Sequence, residues 1–414
     1  MTPMREAATG VGAKTLFPAE PEPVQPSQAF REQTQPPPSA APVLAFAVIA
    51  DKAAFAALAA EWSQLFERSG RPHQVFQTFA WLWGWANHYL EKNVSLAIVT
   101  GRRGGRLALV WPLVSRRRMG LRILSFMGEP LSQYGDALVE DCEDEAALTA
   151  QALAFVMTLR VDVVSLRRVR DDAALAATLG ASAERTGAPA RAPFVDFAGA
   201  RDAAAFEKRF SAKLRSDRRR RLRRLEDIGP IAFEHHGPGP RARALTETAL
   251  AFKQDWARRS GRIATALADP RFGRFFIDAA DGGAHAPDLR VFAMFCGGAP
   301  IGVELSVACK GRVFGHVLAS KPGFERQGAG AILAGRSIVD ALERGFCGYD
   351  LLAPADPYKM EWASGCVGVS DFALARTSAG RLYKWAWLDF GREALRSLAK
   401  RLAPHLRRAA KRPP

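Results

Sequence analysis

The sequence spends few cysteines and places them in no pattern. Cys142, Cys296, Cys309, Cys347 and Cys366 are odd in number, and no two stand at C-x-x-C spacing. No disulfide framework is therefore expected, and the thiols read as reduced groups of a cytosolic protein. No apolar run approaches the roughly 20 residues that a spanning helix needs, and no charged-then-apolar leader opens the chain, so a soluble protein is expected. A G-x-S-x-G elbow is missing, and nothing near any cysteine would activate it as a nucleophile. His235-His236 runs into Pro-Gly turns and reads as a loop; no further His or Cys stands at ligand spacing, so no metal is expected.

Pervasive basic charge is also missing, although the formal net charge is +16. Residues 206–225 carry ten Lys or Arg against two acids, and residues 381–414 again carry ten against two, which accounts for the whole excess. The remaining chain is neutral. Two basic appendages on an ordinary body are implied, rather than a nucleic-acid-binding domain, so nucleic acid is not the expected partner.

A chain of 414 residues with 48% apolar content can bury a large core and by length should hold two domains with extra arms. Residues 1–42 are rich in Pro, Ala, Gln and Glu and read as a disordered leader. A strand over 43–49 and a helix over 53–68 follow, the helix carrying Phe55, Leu58, Trp62, Leu65 and Phe66 on one face. The aromatic block from Phe76 to Trp85 comes next, read as a helical core plug or the floor of a cleft. Strands are expected at 95–100 and 106–114, joined by a glycine hairpin at 101–105, and at 121–126. A loop at 128–141, a helix at 145–159 and a strand at 161–166 complete the first half.

The second half repeats that order. Strands at 289–295 and 301–308 flank a turn at 296–300, a strand at 313–319 follows, and a Gly-rich basic turn at 321–330 leads into a helix to Gly345 and a strand at 349–352. Two related α/β domains, with mixed sheets and flanking helices, are expected over 43–195 and 196–380. Only the second has a loop suited to phosphate. Strand, glycine loop and helix N-terminus present unpaired N–H groups and a positive dipole end to an anion, and Arg326 and Gln327 stand just before Gly328 and Gly330.

These stretches resemble the GNAT superfamily of N-acyltransferases, in its tandem-domain, CelD-like (cellulose biosynthesis protein) branch, whose cousins are the Fem-type aminoacyl transferases of peptidoglycan. The resemblance covers about residues 43–375. It rests on Phe79-Ala-Trp-Leu-Trp-Gly-Trp85, on Gln133-Tyr-Gly-Asp136 and on the basic helix from Lys213 to Leu225. The turn Gly298-Ala-Pro-Ile-Gly302 and the pairs around Tyr349-Asp350 and Tyr358-Lys359 complete it. The superfamily's cofactor motif is Gln or Arg, two residues, Gly, one residue, then Gly or Ala. Gln327 and Gly330 fit its first half while Ile332 stands at the final small position; starting from Arg326 recovers Ala331 but loses the central glycine.

The resemblance implies transfer of an acyl group from acyl-CoA, such as acetyl-CoA, to an amine within one ternary complex. The amine must lose a proton, and the thioester oxygen needs a backbone donor, which the superfamily draws from the strand before the glycine loop, here at Val317 or Leu318. Candidate bases are Glu304 in an apolar strand, His316 in the cofactor strand and Asp350 in the strand after the helix. Lys359 follows a turn past a strand end and is a candidate for holding phosphate or the developing oxyanion. Trp83, Tyr134, Asp136 and Tyr358 are placed by the shared motifs on the substrate, together with Arg218 and Arg221 of the basic helix.

Three activities stay open. The first is a cytosolic acyl-CoA N-acyltransferase acting on a sugar-linked, lipid-linked or amino-acid-like acceptor in envelope or exopolysaccharide synthesis. An aminoacyl-tRNA-dependent ligase of the Fem type is the second, and a non-catalytic scaffold that binds nucleic acid or membrane is the third. Within 381–414, Leu395, Leu398, Leu402 and Leu406 among basic residues, preceded by Tyr383, Trp385 and Trp387, fit a helix lying on an anionic membrane surface, on a partner or on the protein itself.

Overall fold

Strands from both ends of the chain hydrogen-bond into one sheet of eleven, in a computed structural model that describes residues 44–200, 202–260, 265–392 and 394. The leader at 1–42 and the leucines at 395, 398, 402 and 406 lie outside the described residues.

The first half begins with β1 (Ala45–Ile49), α1 (Lys52–Ala57) and α2 (Ala59–Ser69). A 3-10 turn (Pro72–Gln77) leads into α3 (Phe79–Tyr89). Then come β2 (Val94–Leu96), β3 (Ile98–Arg103), β4 (Arg106–Trp111), β5 (Leu113–Arg118), β6 (Leu121–Phe126) and β7 (Leu138–Val139). The half closes with α4 (Glu145–Val156), β8 (Val163–Arg170), α5 (Ala176–Ser182) and β9 (Glu184–Asp196).

The second half opens with α6 (Ala203–Glu207), α7 (Ala212–Glu226), β10 (Ile231–His236) and α8 (Pro240–Ser260). Two further helices, α9 (Thr265–Ala268) and α10 (Pro270–Asp281), precede the meander β11 (Leu289–Cys296), β12 (Ala299–Cys309) and β13 (Arg312–Ser320). After α11 (Ala329–Glu343) come β14 (Gly348–Asp350), α12 (Pro357–Met360), β15 (Gly365–Ala375) and α13 (Ser378–Tyr383).

The architecture is mixed α/β with helices flanking large mixed sheets. The large sheet runs β10-β11-β12-β13-β14-β9-β15-β8-β6-β5-β2, and β1, β3, β4 and β7 form a separate sheet of four. Each half contains one parallel crossover, β6–α4–β8 and β13–α11–β14. β15 pairs with both β8 and β9, so a strand from the end of the chain joins strands from its first half.

Several expectations are corrected by tertiary pairing. The strand expected over 106–114 splits at Pro112, which has no N–H to donate: β4 stays in the small sheet and β5 enters the large one. His235 and His236 lie in β10, paired with Phe292 and Val291 of β11, rather than in a loop. The helix expected over 53–68 breaks at Leu58. β9 and β15 carry no alternating pattern, and their extended state comes from partners distant in sequence.

The aromatic block is core. Trp81, Trp85 and Phe76 are fully buried, and the indoles of Trp81 and Trp85 donate to the Ser132 hydroxyl (3.0 Å) and the Glu129 carbonyl (2.8 Å). These bonds anchor the loop between β6 and β7 to α3, and the Leu131 carbonyl of the same loop meets His316 of β13, where the site lies.

Candidate active site

β13 is nine residues long, yet β14 pairs with it only through Arg312, Val313 and Phe314. β14 ends at Asp350, and Leu352 turns the chain away with a left-handed φ of 58°. Past Phe314 that edge of β13 faces a cavity of about 650 Å³. Its wall includes Glu304 of β12, His316, Leu318 and Ser320 of β13, Gly328 and Gly330 at the head of α11, and Tyr358 and Lys359 of α12.

The ladder on the other edge decides which amide faces the gap. Lys321 N–H bonds the Ile301 carbonyl (2.8 Å), so 301 and 321 form a hydrogen-bonded pair. Counting inward in antiparallel register makes Glu304 and Leu318 a non-hydrogen-bonded pair, whose amide and carbonyl point away from each other's strand. Lys253 of α8 confirms the direction by donating to the Leu318 carbonyl (2.9 Å). The Leu318 N–H therefore faces the gap, while Val317 turns its amide to Leu305 and its side chain into the core.

Glu304 shares its face of the sheet with Leu318 and is 3% exposed. Burial pushes its carboxyl up to about 7, although the Tyr349 hydroxyl donates to Oε1. Among the described residues Oε2 has no partner.

A β-bulge at Leu305/Ser306 leaves His316 as the extra residue of β13 and turns its ring among Phe76, Trp81, Phe272 and Phe276. With Nε2 2.7 Å from the Leu131 carbonyl, Nε2 carries the hydrogen and Nδ1 is bare, buried and without a partner among the described residues. Burial holds the imidazole down at about 4, so it is neutral near pH 7. Lys359 is buried, which lowers its pKa, and its Nζ donates to the Leu352 carbonyl (2.9 Å).

Gly328 is the N-cap of α11, and its φ of 76° is a left-handed value that glycine adopts without strain. Among the described residues no carbonyl takes the Gly330 N–H. That donor, the helix dipole and the Leu318 N–H converge on the cavity.

The structure brings together Glu304, His316, Leu318, Gly328, Gly330, Tyr358 and Lys359. It places the others elsewhere. Asp350 accepts from the Tyr134 hydroxyl (2.7 Å), Arg170 Nη1 (2.7 Å) and Leu352 N–H (2.8 Å), so both its oxygens are occupied inside the core, with Tyr134 beside it. Asp136 accepts from Gln74 and from the amides of Ala137, Ala174 and Leu175. Trp83 stacks on Phe79 under Lys52. Arg326 is exposed, and neither it nor Gln327 lines the cavity.

Arg218 and Arg221 line a second cavity, about 380 Å³, between α7 and α11. Arg218 is held there, its guanidinium 3.3 Å from the Trp362 ring centre and 4.2 Å from that of Phe210, with a hydrogen bond to the Glu361 carbonyl (3.3 Å). Arg221 packs behind the loop, its Cδ 3.3 Å from where a Cβ on Gly328 would stand. Ala331 lines both cavities, which meet at the first turn of α11.

Sequence reasoning missed Lys253 and Trp256 of α8, Gly315, Ser320 and Tyr349, all lining the first cavity. Gln133 also lines it, bonded through Oε1 to Arg168 (2.9 Å); it stood in a recognised motif but was given no role. The α8 residues carry no local signal, since only packing of a distant helix brings them to β13.

Among the described residues there is no cluster of His, Cys, Asp and Glu that could hold a metal ion, and no helix long and apolar enough to cross a membrane. Residues 212–360, from α7 to α12, match the family described as Acetyltransferase (GNAT) domain. That segment supplies the cavity walls apart from Gln133. No curated protein sequence matches the chain.

Solved structures share its fold. FemX superposes with a TM-score of 0.55 at 13% identity, covering 79% of this chain and 97% of that one. A conserved protein of unknown function from Bacteroides thetaiotaomicron gives 0.50 at 10%, covering 79% and 100%. A tandem GNAT protein from the clavulanic acid biosynthesis pathway gives 0.41 at 15%, covering 80% and 98%. At these identities the likeness to FemX and to the Bacteroides protein is one of fold.

Proposed function

We propose that this protein is an N-acyltransferase that moves an acyl group from an acyl-CoA thioester to an amine. The observation that carries the reading is Glu304: a buried carboxyl held at about 7, with Oε2 bare, beside the strand edge that offers the Leu318 N–H. A base poised near the working pH is the most effective acceptor of a proton, which favours Glu304 over His316, held at about 4.

In the proposed step Glu304 takes a proton from the amine as its nitrogen attacks the thioester carbonyl carbon. The Leu318 N–H donates to the oxygen on which charge develops. The carbon–sulfur bond then breaks, and Glu304 returns its proton to the departing thiolate, leaving an amide and a free thiol. That return is downhill, since an ordinary thiol has a pKa of about 8.5. The Gly330 N–H and the dipole at the head of α11 receive the donor's phosphates, and Lys359 supplies positive charge nearby. Burial raises the phenol of Tyr358 to about 12, so it stays protonated as a hydrogen-bond donor in the same cavity. An acceptor from envelope or exopolysaccharide synthesis, and placement in the CelD-like branch, rest on sequence resemblance alone.

Aminoacyl-tRNA is the alternative donor. The arginines of α7 around a cavity that joins the first at Ala331 favour a larger phosphorylated donor, and FemX has the same fold. Thermal unfolding with a panel of acyl-CoAs and of aminoacyl-tRNAs separates the two. Stabilisation by acyl-CoA that is lost in Gly330→Glu and reduced in Lys359→Ala is expected. Stabilisation by aminoacyl-tRNA alone would transfer the assignment to the second donor, and response to neither would sink both.

A further inference from the structure

Six large hydrophobic side chains are exposed among the described residues, and four of them, Met119, Leu382, Trp385 and Phe390, belong to two adjoining segments. Met119 tops the turn between β5 and β6 and is 85% exposed. The other three lie on α13 and its π-helical continuation, Lys384–Gly391. Contacts join the segments: the Arg118 guanidinium lies 4.9 Å over the Trp387 ring, and Gly120 lines one basin with Thr377, the N-cap of α13.

The helical segment is seated by its opposite face. Leu388 is buried with Val163 and Ala373, and at Gly380 a Cβ would stand 2.2 Å from the Asp162 carbonyl. Outward on the same segment, beside Arg381, stand Leu382 and the neighbouring rings of Trp385 and Phe390, whose centres are 5.8 Å apart. The shared basin, about 440 Å³, carries Arg122, Arg160 and Arg376. Its carboxylate, Asp162, already accepts from the Arg122 N–H and the Thr377 hydroxyl (both 2.8 Å). Arg117 and Arg381 are exposed beside it.

Scattered apolar side chains are ordinary, but an aromatic and aliphatic cluster rimmed by cations is the composition of a surface that lies on an anionic bilayer. We propose that this face docks on anionic phospholipid, with Trp385, Phe390, Leu382 and Met119 entering the headgroup–acyl boundary and the arginines of the basin on lipid phosphates. A two-fold contact between copies would set arginine against arginine, whereas an anionic membrane neutralises the rim. The proposal is independent of the acyl donor.

Co-sedimentation of the full chain with phosphatidylcholine vesicles, with and without roughly 30% phosphatidylglycerol, tests it. Binding at least about tenfold tighter to the anionic vesicles and weakened by salt is expected. Leu382→Ser/Trp385→Ser/Phe390→Ser and, separately, Arg122→Ser/Arg160→Ser should each lower it about tenfold, with the thermal midpoint unchanged to show folding. Brominated lipid should quench the wild type, and Trp385→Phe, which keeps the patch apolar, should bind while losing that quenching. Equal binding to neutral vesicles, no binding, or variants that bind like the wild type would overturn the proposal. So would a dimer that the triple variant dissociates without any vesicle effect.

Discussion

Glu304 and Tyr349 reach each other across a strand that neither belongs to. One lies on β12, the other on β14, and the phenol donates to the carboxylate over Gly315 of β13. A Cβ on Gly315 would stand 2.7 Å from Glu304 Oε1 and 2.8 Å from the Tyr349 hydroxyl, so the bond exists because that residue has no side chain.

Gly315→Ala is accordingly expected to displace the carboxylate while the fold survives. A shift of about 1 Å in a reacting group costs about 100-fold in rate. Steady-state kinetics and circular dichroism check the two halves of this statement; full activity in the alanine variant would place the base elsewhere.

Glu304→Gln should lower acyl transfer by about 100- to 10,000-fold. Its effect on stability has the opposite sign. The folded pKa, about 7, lies above the ordinary carboxyl value of 4.5, so the group's contribution is fully present below pH 4.5 and is lost as pH rises through 7. Above that range the wild type carries a buried charge that costs about 3 kcal/mol, and the glutamine variant should be the more stable protein. Urea unfolding at about pH 5 and pH 8 measures the crossover.

Tyr349→Phe removes the largest of the interactions that lower the Glu304 pKa. The acidic limb of the rate profile, rising as Glu304 deprotonates, should move to higher pH, with little change above it. An unmoved limb would show that another group titrates.

Gly330 tolerates a methyl group, since its Cβ would be 3.5 Å from Leu318 Cδ2 and 3.8 Å from Ser320 Oγ. Gly330→Ala should therefore bind acyl-CoA within about threefold of the wild type, while Gly330→Glu sets a carboxylate at an anion site and should abolish binding. Isothermal titration of the pair tests whether the head of α11 holds the donor.

Asp350→Asn should act on stability rather than on chemistry. It leaves Arg170, itself buried, without its inner carboxylate, at a cost of about 3–5 kcal/mol. Activity per folded molecule should persist; a specific loss of turnover with unchanged stability would return Asp350 to the reacting groups.

What the sequence determined by itself was local and periodic. The crossover around the glycine loop, the meander before it and the aromatic helix α3 were legible, because apolar spacing and glycine act within a few residues. Glu304 could be singled out as an acid in an apolar strand. Which candidate sits where depended on pairing. Asp350 and Glu304 look alike as acids in strands on either side of the cofactor strand, and only the arrival of Arg170 and Tyr134 at one, and burial beside a bare strand edge at the other, sets them apart. Leu318 and Val317 are neighbours that ladder phase alone turns to opposite edges. The strand edge itself was invisible: β14 stops at three residues while β13 runs nine, and a gap between strands is a property of two segments and of the distant α8 that lines it.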